Sequence, residues 1–290
     1  MSTRVRPVIA DLKRLSKLPP LSPVVAQLTA TLSGDDVDFR DLERIIRRDP
    51  VITARVIGAA NAAAYAGHAP TTSIHASVMR LGVLAVRRLA FLLSLYNAVP
   101  VEPAERKAFW RHSLAVAYAA DVVTRHVPTW SAGTQMEQAF LAALLHDLGL
   151  LALGRHYPKE NEMVMARVAE DRVARSHVER EIFGVDHAEI GARLAMHWAF
   201  PKTITPVIAC HHDFASAPEE AQWLSAVVAL ADALCNEDET SAMGEGSRVG
   251  TIEEAIALLG LAPDALAQIV DQTRADSARD LLVLETIGGY

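Results

Sequence analysis

At 290 residues, with 51% hydrophobic and 22% charged side chains, the chain can bury a sizeable core and is too apolar to be a disordered protein. Its net charge of −7 argues against nucleic acid as a main partner, because neutralising phosphates needs a broad basic face. Two cysteines (Cys210 and Cys235), no signal-peptide pattern in Met1–Ala10 and no apolar stretch beyond Phe140–Leu153, itself broken by His146-Asp147, lead us to expect a cytoplasmic chain with reduced thiols and no membrane anchor.

Alanine and leucine dominate, strand-type runs of Val, Thr and Ile are scarce, and apolar residues recur at helical spacing nearly everywhere. The expected fold class is all-α. A short helix is predicted over Pro7–Lys17, followed past Pro19-Pro20 by one from Pro23 that Gly34 closes. Asp38 can cap a helix to Arg48, and Asp49-Pro50 restarts the chain as an N-cap followed by an N1 proline, for a helix reaching Asn61. Ser73–Leu81 and Val83–Asn97 form a further pair hinged at Gly82. The short basic pairs Arg47-Arg48 and Arg87-Arg88 read as solvated helix faces. Pro100 and Pro103, amid charged residues, mark a junction, which divides the chain into 1–100 and 101–290.

Beyond the junction the periodicity predicts a long helix over Ala104–His126, then Thr134–Asp147, and a break over Gly149–Gly154. Helices over Lys159–Ala174, Ser176–Phe183, Asp186–Trp198, Pro201–His212 and Pro218–Asn236 follow. Asn236–Gly250, rich in Glu, Asp, Ser and Gly, reads as an exposed loop. Helices over Ile252–Leu259 and Pro263–Leu284 close the chain. There is no internal repeat and no low-complexity tract.

The informative residues are polar groups on faces that should be buried. His112 lies three after Phe109 and four before Val116; His146-Asp147 ends the apolar run Ala139–Leu145; His187 shares a face with Ile190 and Leu194. His211 falls four after Val207, His212 follows at once, and Asp232 lies four after Val228. A single histidine in such a place is usually a satisfied core residue. Five histidines and two aspartates together need partners or a metal, and imidazole with carboxylate suits Fe, Mn, Zn, Co or Ni held between helices. The two readings, a metal centre and a set of mutually satisfied histidines, both stay open on the residues alone. The histidines at 68, 75, 126, 156, 177 and 197 fit no such pattern and read as surface or packing residues.

The order His112, His146-Asp147, His187, His211-His212, Asp232 resembles the H…HD…H…HH…D signature of the HD superfamily of metal-dependent phosphohydrolases. The surrounding residues are similar to its HDOD branch: Trp110-Arg111-His112-Ser113, Leu144-Leu145-His146-Asp147-Leu148-Gly149, and Glu181, Gly184, His187, Gly191, Leu194, Trp198 and Pro201 in spaced array. Leu18-Pro19, Asp49-Pro50, Asn61 with Tyr65, Ile74 and Leu81-Gly82 extend the likeness toward the N-terminus, so that it covers roughly residues 12–236.

The resemblance implies an N-terminal helical subdomain packed on an HD-like helical bundle, and a regulatory role in bacterial signal transduction through signalling-protein partners. It implies His146, Asp147, His187, His211, His212 and Asp232 as ligands of one or two divalent transition-metal ions, with Asp147 bridging if two bind and His112 a ligand or a group just outside. The rival implication is a metal-dependent phosphohydrolase acting on a nucleotide or cyclic dinucleotide, with Asp147 at its catalytic centre and water activated for in-line attack on phosphorus. Two departures favour regulation. Active cyclic-dinucleotide phosphodiesterases of the superfamily carry HDxGK, and here the lysine position is Leu150; they follow the double histidine with Gly-Tyr-Pro, and here Asp213-Phe214-Ala215 stands. Phosphoryl transfer leans on positive charge around the phosphate. With no sensor or DNA-binding segment evident at either end, action through partners is the expectation; a homo-oligomer and a nucleotide ligand remain open. Asn61, Tyr65 and His68 are candidate interface residues, with packing the first reading of Asn61 and Tyr65. Cys210 reads as an inert thiol.

Overall fold

Asp49 does what its place before a proline predicts: its carboxylate accepts from the backbone N–H groups of Val51 at 2.8 Å and Ile52 at 3.1 Å, satisfying two of the donors that a helix start leaves open. The structure, a computed structural model, describes residues 21–274 apart from 22, 33–38, 63–68, 97–101, 129–133, 172, 238–248 and 263. All regular structure among the described residues is helical. In chain order the helices are α1 (Pro23–Leu32), α2 (Phe39–Ile46), α3 (Pro50–Ala60), α4 (Ile74–Leu81), α5 (Val83–Tyr96), α6 (Pro103–His126), α7 (Thr134–Leu145), α8 (Leu148–His156), α9 (Pro158–Asp171), α10 (Arg175–Phe183), α11 (His187–His197), α12 (Thr205–Cys210), α13 (Glu219–Glu237) and α14 (Val249–Leu259). A further helical stretch runs over 265–274. The helix predicted over Pro7–Lys17, the roles given to Gly34 and Asp38, the interface residues Tyr65 and His68, most of the Asn236–Gly250 loop and the end of the last helix lie outside the described residues.

The chain divides into two units, Pro20–Ala98 and Val99–Thr273. In the first, α1 packs on α5 and α3 on α4, around Leu28, Leu42, Ile46, Val56, Val86 and Phe91, all 0–1% exposed. Ser73 caps α4, and Gly82, at φ 87°, makes the left-handed step into α5 that any other residue resists. Asn61 is an internal clamp. Its side chain donates to the Thr71 carbonyl at 2.8 Å and accepts from the Thr71 N–H at 2.9 Å, while the Arg80 guanidinium donates to the carbonyls of Ala60 and Ala69. Arg87 departs from its expected solvated face: it is buried, because it shares the inward stripe of α5 with Ala90 and Phe91.

In the second unit α6 lies against α7 and α13, and α11 joins α8 to α12. The expected break over Gly149–Gly154 is instead helix α8, whose Leu148, Leu150, Leu151 and Leu153 are all buried. Glycine here serves close packing, not a turn. A Cβ on Gly149 would stand 1.9 Å from the His187 carbonyl oxygen and 2.8 Å from the Gly191 nitrogen, so α8 and α11 touch backbone to backbone. The helix predicted over Pro201–His212 is shorter, Thr205–Cys210, with a turn before it. The segment Gln135–His156 is long and apolar enough to cross a bilayer by composition, yet its most apolar window is 89% buried and the helix is interrupted at His146-Asp147.

Gly149→Ala should cost about 3 kcal/mol or more, since backbone must move to admit the methyl group. Gly154→Ala, whose Cβ meets only the ends of the Glu105 and Asn161 side chains, should stay within about 1 kcal/mol of wild type. Denaturant unfolding of the two variants checks the contrast, and equal losses would contradict the close-approach role.

Candidate metal centre

Five elements deliver the polar residues to one place. The buried run Ala139–Leu145 carries His146 and Asp147 into the core at the α7–α8 junction, where Asp147 precedes the first residue of α8. His112 comes from the middle of α6 and Asp232 from α13. His187 opens α11, whose start is fixed by Asp186 accepting from the Glu189 N–H at 2.9 Å. His211 and His212 follow the end of α12. All but His212, which is half-buried, are at most 8% exposed. All seven predicted residues therefore meet, and of the other described histidines His75 lies against Phe39, His126 on the Val122 carbonyl and His177 beside Glu181.

Asp147 is the centre of the group. Its Oδ1 lies 3.2 Å from His187 Nε2 and 3.6 Å from His211 Nε2; its Oδ2 lies 3.3 Å from His146 Nε2 and 3.6 Å from His112 Nε2. Asp232 Oδ1 stands 3.2 Å from His112 Nε2 and 3.5 Å from His146 Nε2. His212 Nε2 is 2.8 Å from His187 Nε2. Three overlapping sets, His187/His211/His212, His112/His146/Asp232 and His146/Asp147/His211, bring one ligand atom per residue within 4.8 Å of one another.

The outer ring nitrogens decide what the inner ones can do. His146 Nδ1 meets the Ala143 carbonyl at 2.6 Å, His211 Nδ1 the Ile208 carbonyl at 2.7 Å and His187 Nδ1 the Glu179 carboxylate at 2.6 Å. Each of those oxygens only accepts, so each Nδ1 must carry a proton and each neutral ring turns an Nε2 lone pair inward. In the neutral rings of His146 and His211 those lone pairs face the carboxylate oxygens of Asp147, and for His146 that of Asp232 as well. Nε2 of His146 and of His211 are buried with no hydrogen-bond partner, a costly state for a polar atom. The donor set fits a divalent cation. Ligand atoms at about 2.0–2.2 Å from one ion lie about 3.0–3.6 Å from each other, the spacing seen here. Imidazole and carboxylate suit the later first-row metals, and two carboxylates offset the charge of one ion.

The electrostatics agree. Burial opposes charge on every group, but Asp147 and Asp232 outweigh it at His146 and hold that imidazole's pKa well above the usual range. At His211, burial and the neighbouring histidines push the pKa well below it. His146 and His187 hold the Asp147 carboxyl far down despite its burial, and His112 and His146 do the same for Asp232. Without an ion, a proton on His146 takes the cation's place.

Reading the sequence missed Glu179, Arg175 and Asn161. Glu179, fully buried, accepts from both the backbone N–H and Nδ1–H of His187, and Arg175 joins it to Asn161. The glutamate singled out in the motif, Glu181, instead faces outward and pairs with Arg167. A signal was present: Glu179 lies three and four residues before Ile182 and Phe183 on the apolar stripe of α10 and four after Arg175.

The HDOD domain profile matches residues 18–214. The chain belongs to the HDOD family. Among curated proteins it is similar to an uncharacterized protein of Treponema pallidum, 26% identical over 234 residues, which are 80% of this chain and 44% of that one. It is also similar to ribonuclease Y of Thermus thermophilus, 32% identical over 145 residues, 50% of this chain and 18% of the enzyme. The HDOD chain thus spans less than half the length of either relative. Solved structures share its fold: an HDOD domain protein of unknown function from Geobacter sulfurreducens, with a TM-score of 0.77, 24% identity and 96% of both chains covered, and a Shewanella amazonensis protein provisionally named a phosphohydrolase, with a TM-score of 0.74, 25% identity and coverage of 95% and 97%. The fold is the all-helical HDOD fold, and its buried His/Asp groups are able to hold a metal.

Elemental analysis of untagged protein should find one or two equivalents of transition metal that the His146→Ala/Asp147→Ala variant loses. Because the ion displaces the proton on His146, affinity should rise with pH and fall in acid. Affinity that does not change between about pH 5 and 8 would contradict that exchange.

Proposed function

We propose that this HDOD protein is a regulatory module of bacterial signal transduction that works through protein partners, with a divalent transition metal in its His/Asp site and little hydrolytic power. The observation that carries the reading is Leu150. It sits on the first turn of α8, three residues past Asp147, where active phosphodiesterases of the superfamily place a lysine, and it is only 4% exposed. A charge there would be buried among Leu148, Leu151 and Leu153, so this core is built to exclude the group that would neutralise a phosphate. The double histidine is followed by Asp213, an exposed acidic residue, where active phosphodiesterases of the superfamily carry Gly-Tyr-Pro.

A bound ion supplies Lewis acidity at this site. The chain's own residues do the rest. Asp147 spans the two sides of the site, His112, His146 and Asp232 lie to one side, and His187, His211 and His212 to the other.

The intact donor set supports a second reading, a metal-dependent phosphohydrolase acting on a nucleotide or cyclic dinucleotide. The kinship with ribonuclease Y keeps RNA among the substrates to assay, although the net charge of −7 disfavours it.

Loaded with Mn(II) or Co(II), the protein should hydrolyse bis(p-nitrophenyl) phosphate, cyclic dinucleotides and short RNA no faster than about tenfold above the His146→Ala/Asp147→Ala variant. Metal-dependent turnover approaching about 1 per second on any of them would overturn the regulatory reading in favour of the hydrolase.

A further inference from the structure

Three histidines of the site are held from behind, and one is held differently. His146 and His211 donate Nδ1–H to carbonyls three residues back on their own chain, at 2.6 and 2.7 Å, which are neutral acceptors fixed by local helix geometry. His187 donates to a carboxylate from another helix. Glu179 Oε2 accepts both the His187 backbone N–H at 2.8 Å and its ring Nδ1–H at 2.6 Å, so that one oxygen locks the ring to its own backbone. The other oxygen accepts from Arg175 Nε at 2.9 Å, and Arg175 Nη2 donates to Asn161 Oδ1 at 2.9 Å. Glu179 is 0% exposed and Arg175 3%, so water does not compete for these bonds.

We infer that Glu179 is a positioning residue that readies His187 to serve as a metal ligand, by compelling its Nδ1–H tautomer from α10. The logic rests on what His187 would do without it. Its Nε2 stands 3.2 Å from Asp147 Oδ1 and 2.8 Å from His212 Nε2. A ring free to choose would put its proton on Nε2, donate it to the Asp147 carboxylate, and quench the centre as a closed hydrogen-bond network that needs no ion. Glu179 forbids that choice, because an ionised carboxylate paired with Arg175 has only lone pairs to offer and both its neighbours on the His187 side are donors. The proton stays on Nδ1, and the Nε2 lone pair is turned toward Asp147 and His212, where it can take a cation or accept an N–H from the His212 ring.

Glutamine is the discriminating substitution. It keeps the size of Glu179 but turns one oxygen into an amide donor. Whichever way the amide is placed, that donor meets another donor, either Arg175 Nε–H or the two N–H groups of His187. A residue needed only for packing tolerates this change better than one that dictates a tautomer.

The inference rests on the reading that the site holds a divalent ion, and the test separates the two. Full-length wild type and Glu179→Gln are titrated with Co(II) alone, and the ring nitrogens of His187 are followed in the metal-free proteins by long-range 15N NMR at pH 8. The expected result is a loss of roughly 10–100-fold in Co(II) affinity with unchanged helical circular dichroism, and a His187 Nδ1 that is protonated in wild type and loses its proton in the variant. Co(II) binding within threefold of wild type, with the same 15N pattern, overturns the role of Glu179 and leaves the metal centre standing. No Co(II) uptake by wild type overturns both. Should Glu179→Gln not fold, the wild-type spectrum decides alone: a bare Nδ1 on His187 refutes the proposal.

Discussion

The Asp147 carboxylate is the constraint around which the second unit is organised. It is buried, it accepts only, and four histidine nitrogens from α6, from the α7–α8 junction, from the start of α11 and from the end of α12 stand within 3.6 Å of its two oxygens. Placing such a charge in a core costs several kcal/mol unless cations or donors surround it. Helix α6 presents a nitrogen to this one side chain from its middle, and the others do so from a junction, a start or an end. The hydrophobic run that carries Asp147 inward supplies the driving force, with each fully buried leucine contributing on the order of 2 kcal/mol.

Delivering those nitrogens takes backbone proximity as well as charge. Gly149 lies two residues past Asp147 and meets the His187 carbonyl and the Gly191 amide so closely that no side chain fits between. The two glycines let α8 and α11 approach until Asp147 and His187 are within ligand distance of each other. Packing and chemistry share the same residues here.

The site also has an inner and an outer layer with different jobs. The inner atoms are lone pairs pointing at a common centre, which gives the centre its demand for positive charge. The outer atoms, two backbone carbonyls and the Glu179–Arg175–Asn161 chain, set the tautomers that create the demand. The apolar wall at Leu150 withholds the further cation that phosphate chemistry wants.

Much of this was legible in the sequence. Helical periodicity, the Asp49-Pro50 start and the Gly82 step have local causes, so they can be read from a few neighbouring residues. All seven inner residues stood out for a related reason: a histidine or aspartate on an apolar stripe is costly, and its position on the stripe is a local property. What the residues left open was whether those groups satisfied one another or called for a cation. Tertiary structure bears on that question by fixing which nitrogen of each ring faces inward, in an arrangement able to hold a metal. Glycine at 149 looked like a helix breaker because a local reading knows glycine only as conformational freedom, whereas here a neighbouring backbone occupies the space a side chain would fill. Glu179 and Glu181 are both glutamates on one short helix, and only the packing of α10 against α11 makes the first an anchor and the second a surface residue. The sequence by itself determined the helices and the residues that had to be brought inside. The tertiary structure decided their partners, because contacts between distant segments depend on distances that no local pattern encodes.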